Sequence, residues 1–253
     1  MGADDPNRQR ARRHALRAHL AQADLAALLV TRLANVRYLT GFSGGYGALL
    51  LLHDRTMFFT DRRYERHAAA RVEEAELVLA FDSIVAFGEQ AAEPHHRPGD
   101  RPLRRGDLIK LDFGARVDGY CSDMTRTVVL GPASERQREV YEVVRRAQAA
   151  GLAALRAGVS GAAVDRACRE VIGRAGLGDA FSHPSGHGIG LEIHEAPRVR
   201  VGANGRISPG TPVTVEPGVY LPGFGGVRIE DLAVVRPGGH DVLTTATKEL
   251  LEL

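Results

Sequence analysis

The sequence predicts an α+β protein whose larger, second part is a sheet with helices on one side. Three observations support this prediction. An Asp-Gly pair joins two strand-like runs within residues 110–127, which is a strong hairpin signal. Two helical stretches follow, over residues 134–157 and 161–175. Glycine-punctuated strands then dominate from residue 183 onward.

The first 80 residues predict a smaller α/β unit. Apolar residues at helical spacing predict a helix over residues 6–23, and the apolar run 25–30 predicts a buried strand. Residues 35–45 are rich in turn-forming residues and predict a connector. The remaining elements expected in this unit are strands at 47–52 and 56–60 and a helix at 61–75.

The second part, residues 81–253, opens with a predicted strand at 81–88. A proline-broken loop at 94–102 holds His95 and His96 and leads into the hairpin. Ser134 is a suitable N-cap for the first of the two helices. The strands expected after the helices cover residues 186–194, 211–220 and 227–235.

Composition limits the class of protein. The chain has 253 residues, of which 44% are apolar and 25% charged, as is ordinary for a soluble globular protein. A net charge of +2 is too balanced to favour nucleic acid as the main partner. Two cysteines are too few for a disulfide scaffold, and no apolar run approaches the roughly 18 residues that span a membrane. We therefore expect a cytoplasmic protein with neither nucleic acid nor membrane as a partner.

The hairpin carries two acids, Asp112 and Asp123. If Asp118 and Gly119 form its loop, Asp123 lies opposite Gly114, and strand alternation then places both acids on one face. Their Cα atoms would be diagonal neighbours roughly 7–8 Å apart. Two unpaired acids at this distance repel each other, and a cation between them removes the repulsion. The hairpin therefore predicts half of a metal site.

The other half is predicted from His187, Glu216 and Glu230, which lie in strand-like or glycine-rich surroundings. One imidazole and four carboxylates suit Mn²⁺, with Co²⁺ and Zn²⁺ as alternatives. Four carboxylates exceed what one catalytic zinc ion uses, so we expect two ions roughly 3.5–4 Å apart.

Simpler interpretations exist for each residue alone. A single Asp or Glu in a strand is more often exposed or ion-paired, and only the joint pattern favours a metal centre. His183 and His187 have the i, i+4 spacing of a zinc-binding helix. However, Pro184, Gly186 and Gly188 exclude a stable helix there.

Three blocks of sequence carry a family resemblance. The first contains FDSIVAFG, PHH and LDFGARVDGYCSDMTRTVVLG, the second is SHPSGHGIGLEIHE, and the third contains VEPGVY and GVRIEDLAVV. These blocks resemble the pita-bread metallopeptidases, and most of all the Xaa-Pro branch of aminopeptidases and dipeptidases (prolidases). The first part resembles the amino-terminal domain of that branch through NVRYLTGFSGG and FFTDRRYERHA. Methionine aminopeptidases lack such a domain, and creatinases lack the metal ligands, so both resemble the chain less.

The resemblance implies a pita-bread (creatinase/aminopeptidase-like) domain over residues 81–253 and a truncated α/β domain over residues 1–80. It implies two divalent ions: Asp112 would hold one, His187 and Glu216 the other, and Asp123 and Glu230 would bridge them. The residues implied to act on the substrate are His95, His183, His194, Glu216 and Arg228. Glu216 would relay a proton, and Arg228 matches an arginine near the metals. The expected partners are a peptide with proline at its second position and a second copy of the chain in a homodimer.

One departure from the family lies near residues 72–81, where the first domain runs almost directly into the FDSIVAFG block. The resemblance leads us to expect further residues of the first domain, a linker and the opening helices of the catalytic domain at this place. All the implied ligands follow this seam. Two hypotheses stay open: a dinuclear Xaa-Pro peptidase, or an impaired relic that binds metal or peptide or dimerises.

Overall fold

The computed structural model describes residues 6–23, 25, 27–44, 47–60, 68, 76–78, 81, 83–96, 101–117 and 120–253. The chain forms two compact units. The first comprises residues 1–83 with 113–116 and 253, and the second comprises residues 84–112 with 117–252. Apart from residue 68, the helix predicted over residues 61–75 lies outside the described residues, as do the Asp118-Gly119 turn and most of the seam at 72–81. The predicted boundary at residue 80 stays a prediction.

The first unit contains a four-stranded sheet. Its elements are α1 (Pro6–Gln22), β1 (Ala27–Val30), α2 (Leu33–Thr40), β2 (Ala48–Leu52), β3 (Thr56–Phe59) and β4 (Glu76–Val78). The sheet order is β1-β2-β3-β4, antiparallel except for the parallel pair β3–β4. Phe42 and Phe58 meet edge-to-face at 4.8 Å in its core. The predicted strand pair around residues 53–54 is confirmed.

The connector predicted at residues 35–45 is wrong in its first half, where α2 forms instead. Val36 and Leu39 lie three residues apart and both are buried, so one face of this short helix joins the core. Gly41 ends α2 with a φ of 76° and donates its N–H to the Arg37 carbonyl. The turn residues that suggested a connector therefore mark the end of a helix.

The predicted hairpin belongs to the second unit apart from residues 113–116. The elements from residue 84 to residue 129 are β5 (Ile84–Phe87), a 3₁₀ turn (Gly88–Ala92), β6 (Leu108–Phe113), β7 (Arg116–Val117), β8 (Tyr120–Cys121) and β9 (Met124–Val129). Strands β5, β6 and β9 form one sheet in that order, and β7 pairs with β8 at the tip. The antiparallel partnership of β5 and β6 places Ile84 opposite Asp112. The strand–turn–strand prediction is confirmed on both sides of the undescribed turn.

Two helices follow, as predicted: α3 (Glu135–Ala154) and α4 (Gly161–Arg174). Ser134 caps α3 in a capping box with Gln137, in which each side chain accepts from the other's backbone N–H. Apolar residues of both helices enter one core with the strands that follow. Helices packed beside antiparallel sheets confirm the α+β class.

The later strands are more broken than predicted. They are β10 (Gly186–Gly188), β11 (Glu195–Val199), β12 (Pro212–Val215), β13 (Gly218–Leu221), β14 (Gly225–Arg228), β15 (Asp231–Arg236) and β16 (Gly239–Val242). One sheet has the order β11-β10-β12-β15-β16, and β13 pairs with β14 separately. The strand predicted at 186–194 ends at residue 188, because the chain turns back and pairs β11 with β10.

The strands predicted at 211–220 and 227–235 are each divided in two at matching places. Strands β12 and β15 pair up to Val215 and Asp231, and β13 and β14 pair from Gly218 and Arg228. Glu216-Pro217 and Ile229-Glu230 therefore lie in the gap between two strand pairs. Pro217 has no N–H for a ladder, which accounts for one of the breaks. None of the described helices is both long and apolar enough to cross a membrane.

Candidate metal centre

Three predicted ligands converge inside the second unit. Asp123, His187 and Glu230 each offer one ligand atom, and these atoms lie within 4.8 Å of one another. All three residues are buried. The Nε2 atom of His187 lies 3.6 Å from Oδ2 of Asp123.

The backbone brings these residues together from three directions. Asp123 immediately precedes β9, and Glu230 lies in the break between β14 and β15. His187 is flanked by Gly186 and Gly188, where a Cβ atom would collide with the carbonyl groups of Thr214 and Ala196 respectively. These glycines let β10 approach its neighbours closely enough to place the imidazole at the centre.

Glu216 borders the same cluster. Its Oε1 lies 3.4 Å from Nε2 of His187 and accepts a hydrogen bond from Thr214 Oγ1 at 3.3 Å. The Thr214 hydroxyl also accepts the backbone N–H of His187. One threonine thus fixes both the imidazole segment and the carboxylate.

Asp112, the fourth predicted acid, is paired with Arg228 in a short, buried ion pair. Arg228 Nη1 donates to Tyr220 Oη at 2.8 Å, and its Nε donates to Thr125 Oγ1 at 3.0 Å. Thr125 in turn donates to Glu230 Oε2 at 2.7 Å. Arg228 therefore links the hairpin acid Asp112 to the acid that follows β14.

The carboxyl groups of this cluster resist ionisation together. Burial, and then the charge of Asp112, raises the pKa of Asp123. Burial and Asp123 raise the pKa of Glu230, and burial raises that of Glu216 to about 7. Burial lowers the pKa of His187 to about 4, so its imidazole is neutral at pH 7. Crowded acids beside a neutral imidazole are an arrangement that a cation would stabilise.

The polar atoms also fit a metal ion. Asp123 Oδ1 and Glu230 Oε1 are buried without a hydrogen-bond partner among the described residues. Buried polar atoms are normally satisfied, so two unpartnered carboxylate oxygens in one cluster indicate a missing ligand. Carboxylate oxygens with one imidazole nitrogen suit hard or borderline divalent ions. The cluster is therefore a candidate divalent-metal site.

The three predicted substrate histidines differ in their surroundings. His194 is exposed, and its ring lies 4.4 Å from that of His187. His183 Nε2 contacts Tyr220 Oη at 2.8 Å, and its ring packs 5.2 Å from Phe181. His95 is exposed on the turn that follows the 3₁₀ turn. Burial, and then Arg228, lowers the pKa values of His183 and His95, that of His183 to about 3.

Several supporting residues were not predicted from the sequence, namely Lys110, Thr125, Thr214 and Tyr220. Strand alternation offered a signal for two of them, because Lys110 precedes Asp112 by two residues and Thr125 follows Asp123 by two. Nothing local marks Tyr220, whose hydroxyl meets both His183 and Arg228.

Comparison with known proteins identifies the family of this fold. The model of metallopeptidase family M24 matches residues 52–237. The uncharacterized peptidase YqhT of Bacillus subtilis is 46% identical over 174 residues, which is 69% of this chain and 49% of the relative. The Xaa-Pro dipeptidase of Pyrococcus furiosus is 42% identical over 197 residues, which is 76% of this chain and 57% of the relative. The chain thus spans about half the length of these curated relatives.

A solved structure agrees with these matches. The Xaa-Pro dipeptidase from Bacillus anthracis superposes with a TM-score of 0.68 at 28% identity, covering 97% of this chain and 100% of that one. The predicted pita-bread fold and the resemblance to Xaa-Pro peptidases are therefore confirmed.

Proposed function

The chain belongs to metallopeptidase family M24, and from this premise we propose that it is a metal-dependent Xaa-Pro peptidase. It would hydrolyse the bond between an N-terminal residue and a proline. Relatives named Xaa-Pro dipeptidase support this choice of substrate. The observation that carries the proposal is the buried group of Asp123, His187 and Glu230, in which two carboxylate oxygens have no partner among the described residues.

We propose that two divalent ions bind here, with Mn²⁺ as the expected metal and Co²⁺ or Zn²⁺ as alternatives. The residues that would hold them are Asp112, Asp123, His187, Glu216 and Glu230. Asp112 would bind an ion through a carboxylate that Arg228 orients. When bound, divalent ions act as Lewis acids that polarise a carbonyl and make water a stronger nucleophile near neutral pH.

The chain's own side chains supply the remaining chemistry. His194 lies beside His187 and faces solvent, where its ring N–H would donate to the oxygen of the bond being cleaved. Glu216 would carry the proton of the attacking water toward the leaving nitrogen. His95 would hold the amide region of the substrate.

Proline as the leaving group places a specific demand on the site. Its nitrogen belongs to a tertiary amide without an N–H, so the ring must be recognised by shape. His183 is fixed by Tyr220 and packs against Phe181 on another side. These three rings would form a wall against which a pyrrolidine ring can pack.

The proposal extends to the whole protein. We propose residues 1–80 as a truncated amino-terminal domain, residues 81–253 as the catalytic domain without its opening helices, and a cytoplasmic homodimer as the working form. Family resemblance supports the homodimer, which sedimentation velocity would test.

A cleavage assay tests the activity. Purified protein, shown to be folded by circular dichroism, is incubated with Mn²⁺ and matched peptides: Ala-Pro, Ala-Pro-Ala and Ala-Ala-Ala. The proposal predicts release of alanine from at least one of the first two and not from Ala-Ala-Ala, and the ratio of the rates for Ala-Pro and Ala-Pro-Ala would separate dipeptidase from aminopeptidase. Mn²⁺ binding without cleavage of any peptide would favour the impaired relic. The observation that supports this alternative is that the chain spans only about half the length of its curated relatives.

A further inference from the structure

Lys110 is a buried lysine to which the proposed reaction gives no role. It lies on β6 two residues before Asp112, and its relative exposure is 0%. Because side chains alternate along a strand, Lys110 and Asp112 project from the same face. Placing an ammonium group in the interior is costly, so its contacts need a physical explanation.

The ammonium group donates to the carbonyl groups of one short stretch of chain. The distances from Nζ are 3.2 Å to the oxygen of Ala91, 2.6 Å to that of Glu93 and 3.4 Å to that of Pro94. Burial lowers the pKa of Lys110 to about 7, and when the amine is protonated these bonds are charge-assisted and stronger than those between neutral groups. They close the end of the 3₁₀ turn, and the next residue in the chain is His95.

The same stretch is connected to the metal centre. Arg228 Nη1, which belongs to the guanidinium that pairs with Asp112, also donates to the Pro94 oxygen at 3.4 Å. Lys110 Nζ lies 4.9 Å from the centroid of the Tyr220 ring, over which a cation is attracted. Lys110 and Arg228 together thus attach the turn before His95 to the hairpin strand that bears Asp112.

The start of this stretch is held by packing as well. A Cβ atom on Gly226 would collide with the Ala91 carbonyl, so β14 lies directly against the turn at that point. Beyond it, the Glu93 N–H bonds back to Gln90, while the bonds that the described residues make to the carbonyls of Glu93 and Pro94 come from Lys110 and Arg228. Loss of the Lys110 ammonium should therefore loosen the turn near His95 more than at its start.

We propose that Lys110 is a positioning residue that fixes the turn carrying His95, and so fixes the place of that imidazole beside the metal centre. The effect on catalysis rests on the proposed function, whereas the holding of the turn does not. A lysine that only stabilised the second unit as a whole would affect every part of it equally.

Hydrogen exchange measured by mass spectrometry tests the holding of the turn without any assay of activity. In Lys110→Met, amides in residues 92–96 should exchange about tenfold faster than in the wild type, because buried carbonyls lose their donor. Exchange in α3 should not change. Lys248→Met, at the only other lysine in the sequence, is the matched control and should leave residues 92–96 unaffected. If Lys110→Met does not fold, Lys110→Gln is used instead. Unchanged exchange at 92–96 would overturn the proposal.

A double-mutant cycle tests the consequence for catalysis. Lys110→Met should lower kcat/KM by roughly 10–100-fold, as expected for a misplaced substrate contact. The double variant with His95→Ala should be no slower than His95→Ala alone, within about twofold. Losses that multiply would show that Lys110 does not act through His95 and would overturn that role. If the wild type cleaves no Xaa-Pro peptide, the proposed function fails, and the exchange measurement alone decides whether Lys110 holds the turn.

Discussion

Nε2 of His187 lies 3.6 Å from Oδ2 of Asp123, although the first residue belongs to β10 and the second to the hairpin. Burial and neighbouring charge favour the uncharged forms of both groups. An ion pair between them would require the opposite protonation states. Their closeness is therefore better explained by a shared cation than by a direct salt bridge.

Replacing His187 with alanine should abolish Mn²⁺ binding at the cluster. The loss of Mn²⁺ affinity should be larger than the roughly 10–100-fold loss that follows from removing a residue that hydrogen-bonds to a metal ligand. Isothermal titration calorimetry measures the affinity, and circular dichroism checks the fold. His53→Ala, at an exposed histidine of the first unit, is the control. Equal affinities for the His187 variant and the wild type would remove His187 from the ligand set.

Replacing Thr125 with valine removes the hydroxyl that donates to Glu230 Oε2 at 2.7 Å while keeping the side-chain shape. Because outer partners orient a ligating carboxylate, Mn²⁺ affinity should fall by roughly 10–100-fold. Thr40→Val is the control, since the buried Thr40 hydroxyl bonds to the Val36 carbonyl and the Phe42 N–H, both in the first unit. The idea fails if both valine variants bind Mn²⁺ as the wild type does.

Replacing Tyr220 with phenylalanine removes the hydroxyl between His183 and Arg228. The free energy of unfolding should fall by about 1–2 kcal/mol, because two buried groups lose a partner. With an Xaa-Pro peptide, KM should rise more than kcat falls, since the loosened His183 is a residue proposed to contact the substrate. Tyr141→Phe is the matched control, because the Tyr141 hydroxyl donates to the backbone carbonyls of Lys248 and Glu249, at 3.3 and 3.4 Å. A change in KM of similar size in both variants would argue against a role in substrate binding.

A buried ion pair supports the segment that carries Glu230. Arg126 donates to Asp231 at 2.7 Å and also to the carbonyls of Glu230, Ala246 and Thr247. Arg126→Met should lower the free energy of unfolding by about 1.5–3 kcal/mol, because Asp231 loses one charged donor but keeps Lys248 and Gln148. Arg136→Met should change it by less than about 1 kcal/mol, because the Arg136–Glu139 pair is exposed. Urea denaturation compares the two variants, and equal losses would refute the difference.

The Arg101–Asp107 pair should make stability depend on pH. Burial alone would raise the pKa of Asp107, but hydrogen bonds from Arg101 and the Arg104 N–H hold it below its usual value of 3.8. A lowered folded-state pKa stabilises the protein above the unfolded pKa, and this contribution is lost as the pH falls through the folded value.

Arg101→Met should therefore lower the free energy of unfolding by about 1–3 kcal/mol at pH 7. The difference from the wild type should persist down to about pH 4.5 and shrink below the usual Asp pKa. Urea denaturation across this range measures it, and a difference that grows with acidity would contradict the assignment.

The sequence was sufficient where the signals are local. The Asp-Gly turn and strand alternation predicted the hairpin, and the Ser134 cap with helical periodicity predicted α3. The local sequence pattern did not predict α2, because the buried face of this helix is short. Gly41 was also interpreted as a loop residue, whereas it ends the helix.

Long-range contacts were beyond the reach of the sequence. The breaks at Glu216-Pro217 and Ile229-Glu230 occur together because two strand pairs meet there, which neither segment shows by itself. Strand alternation places Lys110 on the same face as Asp112. Its burial could not be predicted, because the carbonyl groups that bind its amine lie 16 to 19 residues earlier in the chain. Pairing of Asp112 with Arg228 likewise joins residues 116 positions apart.

Cleavage of an Xaa-Pro peptide during metal titration tests the central claim most directly. Chelator-treated, folded protein would receive Mn²⁺ in fractions of an equivalent while the release of the amino acid is followed. The proposed centre predicts no turnover without metal and a rate that saturates near two ions per chain. Turnover that is insensitive to chelation, or none at any Mn²⁺ concentration with folded protein, would contradict it.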